Sequence, residues 1–374
     1  MIRTFRDNIN RFFEVFNDET GFYVRSGVYT DTKLTDEDPF MRKFPGLLDI
    51  GIMGGCTLAS AGLCKSGGDG SACYQGGRPW NPDNDMKFED YKRIIDEGSE
   101  KGLQQVALGG AGNPNDHADF INILRYTREK GIVPNYTTAG YQMTEEMFEA
   151  TKKYCGAVAI SWYGQDFTVN ALDRFIKHGC KTNIHFVLSR KTINQAMSML
   201  KTNKVSYGEK EYSLDKINAI IFLLHKPIGK GNIIDTLSPY DKEDIDNFKN
   251  FMKLVEKNNR PYKIGFDSCT IPGIINYSTK IDRNSIDTCE GGRFSAYISS
   301  DMYMYPCSFD QKGFWKVNLK EEGMTVEKAW HSKEFESFRN ILRFSCETCK
   351  DRKSCYGGCP IDGNIILCDR EERN

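Results

Sequence analysis

Apolar and polar positions change rhythm along the chain, and the middle of it repeats one unit. LLDIGIMGG (47–55) is a short apolar run closed by glycines, as a strand buried on both faces should be. After a cysteine-bearing loop, PDNDMKFEDYKRIIDEGSEKG sets Phe88, Tyr91 and Ile95 on one face of a helix that Gly102 stops. QVALGG, a helical stretch around Phe120, Ile123 and Leu124, and VPNYTTAG repeat the unit. Thr144 is placed to cap the next helix, TEEMFEATKKYC. AVAISWYG, NALDRFIKHG, KTNIHFVLS, INQAMSMLK and INAIIFLLHKP continue the alternation. A helix with Ile245, Phe248, Met252 and Val255 on one face closes the region. Six strand-like runs therefore begin near 47, 105, 133, 157, 182 and 218.

Strands joined through single helices return in the same sense, so the predicted sheet is parallel. Six units suit a partly closed barrel or an open doubly wound sheet, and periodicity does not separate the two. Either arrangement puts a site at the C-terminal strand ends, where LGG, TTAG, SWYG and HKPIGKG lie.

The flanks differ. Within residues 1–46, Ile2, Phe5, Ile9, Phe12 and Phe16 predict an amphipathic helix, and GFYVRSGVY then alternates as a strand. From about 260 the chain turns to short strands, turns and cysteines, with SSD as a hairpin turn inside RFSAYISSDMYMYPCSF. These changes divide the chain into an extension (1–46), an α/β core (47–260) and a small cysteine-rich α+β domain (261–374).

Fifty Lys and Arg balance fifty-one Asp and Glu, a formal charge of -1 that argues against a general nucleic-acid coat. The sequence holds no apolar run long enough to span a bilayer, so no membrane partner is expected. MIRTFRDNINRFFEVFN breaks its apolar positions with charges and is not a secretory signal, which places the chain in the cytoplasm. There, thirteen cysteines read as metal or redox chemistry rather than disulfides.

Cys346-x2-Cys349-x5-Cys355-x3-Cys359 suits a structural zinc as well as iron. Cys269, Cys289, Cys307 and Cys368 add four thiols to the same segment, enough for two four-ligand sites. Cys56, Cys64 and Cys73 form a trio in a Gly/Ser-rich loop after the first core strand. Three thiolates on a four-iron cluster leave one iron open for a small molecule; the plainer reading is a flexible loop with incidental thiols. Cys155 and Cys180 stand alone and read as small buried hydrophobes.

The whole arrangement resembles the radical S-adenosylmethionine (radical SAM) superfamily with a C-terminal SPASM-type domain. The cysteine loop is similar to that family's cluster loop, and LGGAGNP (108–114) stands where the family has Gly-Gly-Glu. Cys289, YISSDMYMYPC ending at Cys307, the C-x2-C-x5-C-x3-C run and Cys368 follow the seven-cysteine SPASM pattern. Two departures stand out: C-x7-C-x8-C replaces the family's C-x3-C-x2-C, and Ala111 replaces the glutamate. Gly62, Gly67, Gly68 and Gly70 would let the longer loop fold back.

The resemblance implies a partial (β/α)6 barrel with three [4Fe-4S] clusters. One, on Cys56, Cys64 and Cys73, would bind SAM. The auxiliary two would take Cys269, Cys289, Cys307 and Cys359, and Cys346, Cys349, Cys355 and Cys368. Without Cys269 the first auxiliary cluster would keep an open iron. Gly109, Gly110, Ala111, Gly112 and Ser161 would face SAM; Asn183 and Arg190 are further candidates, with solvated loop residues as the plainer reading of both. The implied activity is reductive cleavage of SAM and hydrogen abstraction from a peptide or protein side chain, fed by an external one-electron donor such as a flavodoxin or ferredoxin. The alternatives are action on a small metabolite, and a non-catalytic iron–sulfur or zinc binding module. One family oxidation route uses an aspartate directly after the cysteine matching Cys307; here Ser308 stands there, and Asp310 is the nearest substitute. His117 and His225 are read as structural before functional.

Overall fold

The computed structural model describes residues 2–19, 21–30, 33–35, 39–64, 73–208, 210–257 and 259–369. The chain begins with an antiparallel sheet of β1 (Ile2–Asp7), β2 (Phe12–Asn17), β3 (Tyr23–Thr30) and β4 (Lys33–Thr35), paired in that order. The amphipathic helix expected over Ile2 to Phe16 is therefore replaced by a hairpin, with Ile2 opposite Asn17 and Asp7 opposite Phe12. A spacing of four keeps Phe12 and Phe16 on one face in either conformation, so the pattern alone does not decide. The turn decides. Asp7 Oδ1 accepts the N–H groups of Ile9 (3.0 Å) and Asn10 (2.9 Å), and Arg11 takes a φ of 57°. Phe12 and Phe16 are buried, whereas Ile2 and Ile9 are exposed.

The core follows as β5 (Leu47–Ile50), α1 (Thr57–Ser60), α2 (Phe88–Lys101), β6 (Gln105–Leu108), α3 (Phe120–Glu129), β7 (Val133–Thr138), α4 (Glu145–Tyr154), β8 (Val158–Ser161), α5 (Asp166–Lys177), β9 (Thr182–Leu188) and α6 (Ile193–Thr202). A hairpin, β10 (Lys204–Tyr207) and β11 (Lys210–Ser213), precedes β12 (Ala219–Leu224) and α7 (Lys242–Val255). Gly102 ends α2 in the left-handed region (φ 85°), and Thr144 caps α4 by accepting the Met147 N–H. Tyr91, Ile94 and Ile95 of α2 and Phe148 of α4 join the strand residues Leu48, Val106, Ile160 and Ile184 in one hydrophobic core.

The chain then adds β13 (Lys263–Phe266), α8 (Ile271–Tyr277), β14 (Ser295–Ile298), β15 (Tyr303–Tyr305), β16 (Val317–Asn318), α9 (Val326–Trp330), α10 (Lys333–Phe344) and α11 (Arg352–Cys355). The large sheet runs β13-β12-β9-β8-β7-β6-β5-β14-β15-β16. It is parallel from β13 through β14, so the six expected strands gain a neighbour on each side. The expected break near 260 is not a break in this sheet. β13 pairs with β12, and β14 lies parallel to β5, the strand that leads into the cysteine loop. The SSD turn does join β14 to antiparallel β15.

The N-terminal sheet packs at the N-terminal ends of the barrel strands. Arg3 donates to Gly131 O, Gln104 Nε2 donates to Glu14 Oε2 at 3.1 Å, and Lys181 Nζ donates to Glu19 O at 2.8 Å. Gln104, Gly131 and Lys181 each lie just before a parallel strand, so this sheet covers the end opposite the loops.

Candidate active site at the C-terminal strand ends

A cavity of about 660 Å³ opens at the C-terminal ends of the parallel strands. Asp49, Leu108, Thr138, Ser161, Phe186 and Leu224 line it from six strands, and Tyr297 lines it from β14, so the sheet wraps around it. Cys56, Cys64, Cys73 and the segment Gly109–Asn113 complete the wall.

Close backbone packing holds the cysteine loop. Cys56 N–H donates to Arg78 O at 2.8 Å, tying the loop's two ends together. Thr57 Oγ1 donates to Asp116 Oδ2 at 2.5 Å, and Gly54 N–H donates to Asp85 Oδ1 at 2.8 Å. A side chain on Gly112 would meet Gly55 O at 2.3 Å, so this glycine is required by the approach of the neighbouring segment. The loop after β12 closes the other side, where Lys230 N–H donates to Cys73 O at 2.9 Å. Gly67, Gly68 and Gly70, expected to fold the loop back, lie outside the described residues.

The three thiols share surroundings. Burial raises the Cys56 thiol above its ordinary value, and Cys64 and Cys73 raise it further, against the N–H groups of Ala59 and Leu58. Burial also raises the Tyr163 phenol, which is hydrogen-bonded to Ser161, and all three thiols push it the same way. Tyr163 lines the same cavity as the trio.

The remaining cysteines fall into two further groups. Burial raises Cys269, with Cys359 and Cys289 adding to it; burial and Cys359 push Cys289 up to about 11; burial, Cys289 and Cys359 raise Cys307. Burial, then Cys368, Cys346 and Cys349, push Cys355 up to about 12. The first four belong to one expected set and the other four to the second, and each set is electrostatically coupled within itself. Among the described residues, no three His, Cys, Asp or Glu side chains converge as ligands of a single metal ion. A four-iron cluster distributes its thiolates over separate irons, and three or four neighbouring cysteines are the donors it takes. Cys155 and Cys180 stand apart from all three groups and are raised by burial, Cys180 to about 11.

Two expected SAM contacts lie elsewhere. Asn183, opposite Ala219 at the start of β9, accepts from Asn218 Nδ2 at 2.7 Å, at the far end of the barrel. Arg190 turns to α7 and its approach, donating to Asp244 (2.7 Å), Asp241 (3.2 Å) and Ile234 O (3.1 Å). Asp310 is buried and accepts the N–H groups of Phe314 and Trp315 at 3.1 and 3.0 Å, a turn-holding role. His117 is likewise structural, 2.9 Å from Met86 O and accepting from Asp119 N–H.

Two cavity residues, Asp49 and His185, had no distinguishing sequence signal. Asp49 sits in an apolar strand run, and burial with Glu290 nearby pushes its carboxyl up to about 7. His185 of β9 is pushed down to about 4 by burial, against Asp267, and is neutral. His225 lies 3.1 Å from Thr236 Oγ1 through Nδ1, while its buried Nε2 faces no partner among the described residues.

The sequence pattern of the SPASM iron–sulfur cluster-binding domain matches residues 289–356. No curated protein matches the sequence. Among solved structures, Streptococcus suis SuiB superposes with a TM-score of 0.69 at 14% identity, covering 100% of this chain and 98% of that chain. SuiB bound to its precursor peptide SuiA gives 0.67 at 15% identity, covering 96% of each chain. Native anSMEcpe with bound AdoMet gives 0.60 at 17% identity, covering 87% of this chain and 92% of that chain. At these identities the likeness is one of fold. The chain shares the α/β fold of these structures, and residues 289–356 match the SPASM iron–sulfur cluster-binding domain. Among the described residues no helix is long and apolar enough to cross a membrane.

Proposed function

We propose that this chain is a radical SAM enzyme that modifies a side chain of a peptide or protein. The observation that carries the reading is the meeting of Cys56, Cys64 and Cys73 with the Gly109–Gly112 segment and Ser161 on one cavity. A [4Fe-4S] cluster on the trio would bind SAM at its remaining iron and supply the electron for reductive cleavage to a 5′-deoxyadenosyl radical. The chain's own residues supply the enclosure. Gly109, Gly110 and Gly112 bring backbone to the cavity without side-chain bulk, and Tyr163 and Trp162 exclude water beside the thiols. Ala111 offers no carboxylate, so the amino group of SAM is left to backbone acceptors in this segment. The Cys269/Cys289/Cys307/Cys359 and Cys346/Cys349/Cys355/Cys368 sets would hold auxiliary clusters. The peptide substrate is supported by SuiB and anSMEcpe, each also seen with a bound peptide.

Asp49 adds a group able to take or give a proton near neutrality inside the same cavity. It occupies the wall shared with Ser308, the position at which one family route has its aspartate.

The test is anaerobic reconstitution, iron and sulfide counts, then dithionite and SAM with detection of 5′-deoxyadenosine. About twelve irons per chain, with cleavage lost when Cys56, Cys64 and Cys73 are all changed to Ala, supports the reading. About eight irons in both proteins, with no cleavage in either, refutes it and leaves a cluster-stabilised binding protein.

A further inference from the structure

Lys226 stands between the cavity and the first auxiliary cysteine set. It follows β12 by two residues, lines the cavity and is 6% exposed. Its Nζ donates to Leu224 O at 2.8 Å and to Asp267 Oδ2 at 2.5 Å, and lies 4.5 Å from the centre of the Phe309 ring. Asp267 and Phe309 belong to segments that carry cysteines. Asp267 precedes Cys269 by two residues, and Phe309 follows Cys307 by two. Asp267 also holds the Cys269 turn against the sheet. Its N–H donates to Phe222 O at 3.1 Å, while its Oδ1 accepts Leu224 N–H (3.2 Å) and Thr270 Oγ1 (2.8 Å).

A buried ammonium is costly unless negative charge faces it. Asp267 supplies one such charge, and a cluster held by Cys269 and Cys307, on the segments of Asp267 and Phe309, would supply more. If stability alone were served, an apolar residue in place of the ion pair would do as well. A cluster held by four thiolates is negatively charged and becomes more so on reduction. A fixed positive charge beside it favours the reduced form.

We propose that Lys226 is a positioning residue for the Cys269/Cys289/Cys307/Cys359 site, locking the Cys269 turn through Asp267 and raising the reduction potential of the cluster bound there. This rests on the reading that those four cysteines hold a cluster. Phe309 carries the contact onward, since its ring lies 4.6 Å from that of Tyr74, which follows Cys73 of the other cluster loop.

The experiment is an EPR-monitored redox titration of full-length protein whose Cys56, Cys64 and Cys73 are changed to Ala, leaving auxiliary signals alone. Lys226→Met and Lys226→Arg are introduced on that background and iron is counted in each. The expected result is an unchanged iron count, one midpoint moved to a more negative potential in Lys226→Met, the other midpoint unmoved, and the original value restored in Lys226→Arg. Midpoints in Lys226→Met that coincide with the parent at equal iron content overturn the proposal. So does loss of iron from both variants, which would make Lys226 a requirement for assembly only. Absence of auxiliary iron from the parent itself defeats the underlying cluster reading, and is seen before any Lys226 variant is made.

Discussion

Asp49→Asn tests the electrostatics of the cavity without knowledge of the substrate. The carboxyl lies in the middle of β5, on the cavity wall, with Glu290 as its unfavourable neighbour. Burial and that neighbour push it from the ordinary 3.8 up to about 7, so the folded protein holds a proton that the unfolded chain has lost. The unfolded state therefore binds fewer protons over this interval, and stability falls as pH rises through it, levelling off above the folded value. Between about pH 5 and about pH 7 this amounts to two units at about 1.36 kcal/mol each, or about 3 kcal/mol. Asp49 is only partly buried, so solvent screening makes this figure a ceiling. Asparagine keeps the shape and cannot ionise. The wild type and Asp49→Asn should have urea midpoints that separate as pH rises from about 5 to about 8, the variant becoming the more stable by up to about 3 kcal/mol. Groups common to both proteins cancel in the difference. A gap that stays constant across this range refutes the reasoning, because it would mean that Asp49 is already ionised in the folded protein at the acid end.

Two further perturbations test the scaffold around the clusters. Gly112→Ala places a methyl group 2.3 Å from Gly55 O, next to Cys56, and should cost about four irons per chain and abolish SAM cleavage while the auxiliary iron remains; iron counts and 5′-deoxyadenosine detection read both effects. Arg293 is fully buried and donates to Phe40 O (2.6 Å), Thr288 Oγ1 (2.5 Å), Cys289 O (3.0 Å) and Pro39 O (3.3 Å). Arg293→Met strands these acceptors and should destabilise the chain by about 3 kcal/mol, seen as a lower urea midpoint with unchanged slope.

Much of the core was legible because its signals are local. β5, β6, β7, β8, β9 and β12 begin within about two residues of the positions expected, since a buried parallel strand is a short apolar run and each helix between them has its own apolar face. Gly102 and Thr144 acted as read because capping depends on neighbours in sequence. The cysteine spacings marked out candidate groups, and the loop trio lines one cavity. Where sequence reading failed, the deciding contact was distant or ambiguous in period. Phe12 and Phe16 satisfy helix and strand alike, and the Asp7 turn together with pairing across the hairpin selected the strand. Arg190 lies near the expected end of its strand but is taken by Asp241 and Asp244, more than fifty residues on.

The sequence by itself determined the strand–helix order, the parallel sense of the sheet, the end at which its loops collect and the cysteine supply. Each follows from chain direction, hydrophobic period or residue identity. Only the tertiary structure decided that β14 pairs with β5 and so joins the cysteine-rich segment to the barrel sheet. It also decided that Asp49 lies on the cavity wall with Glu290 nearby, that Tyr163 lines that cavity with all three loop thiols, and that Lys226 lies between two cysteine-bearing turns. These properties depend on burial and on charges brought from far along the chain, and neither is encoded in a residue's immediate neighbours.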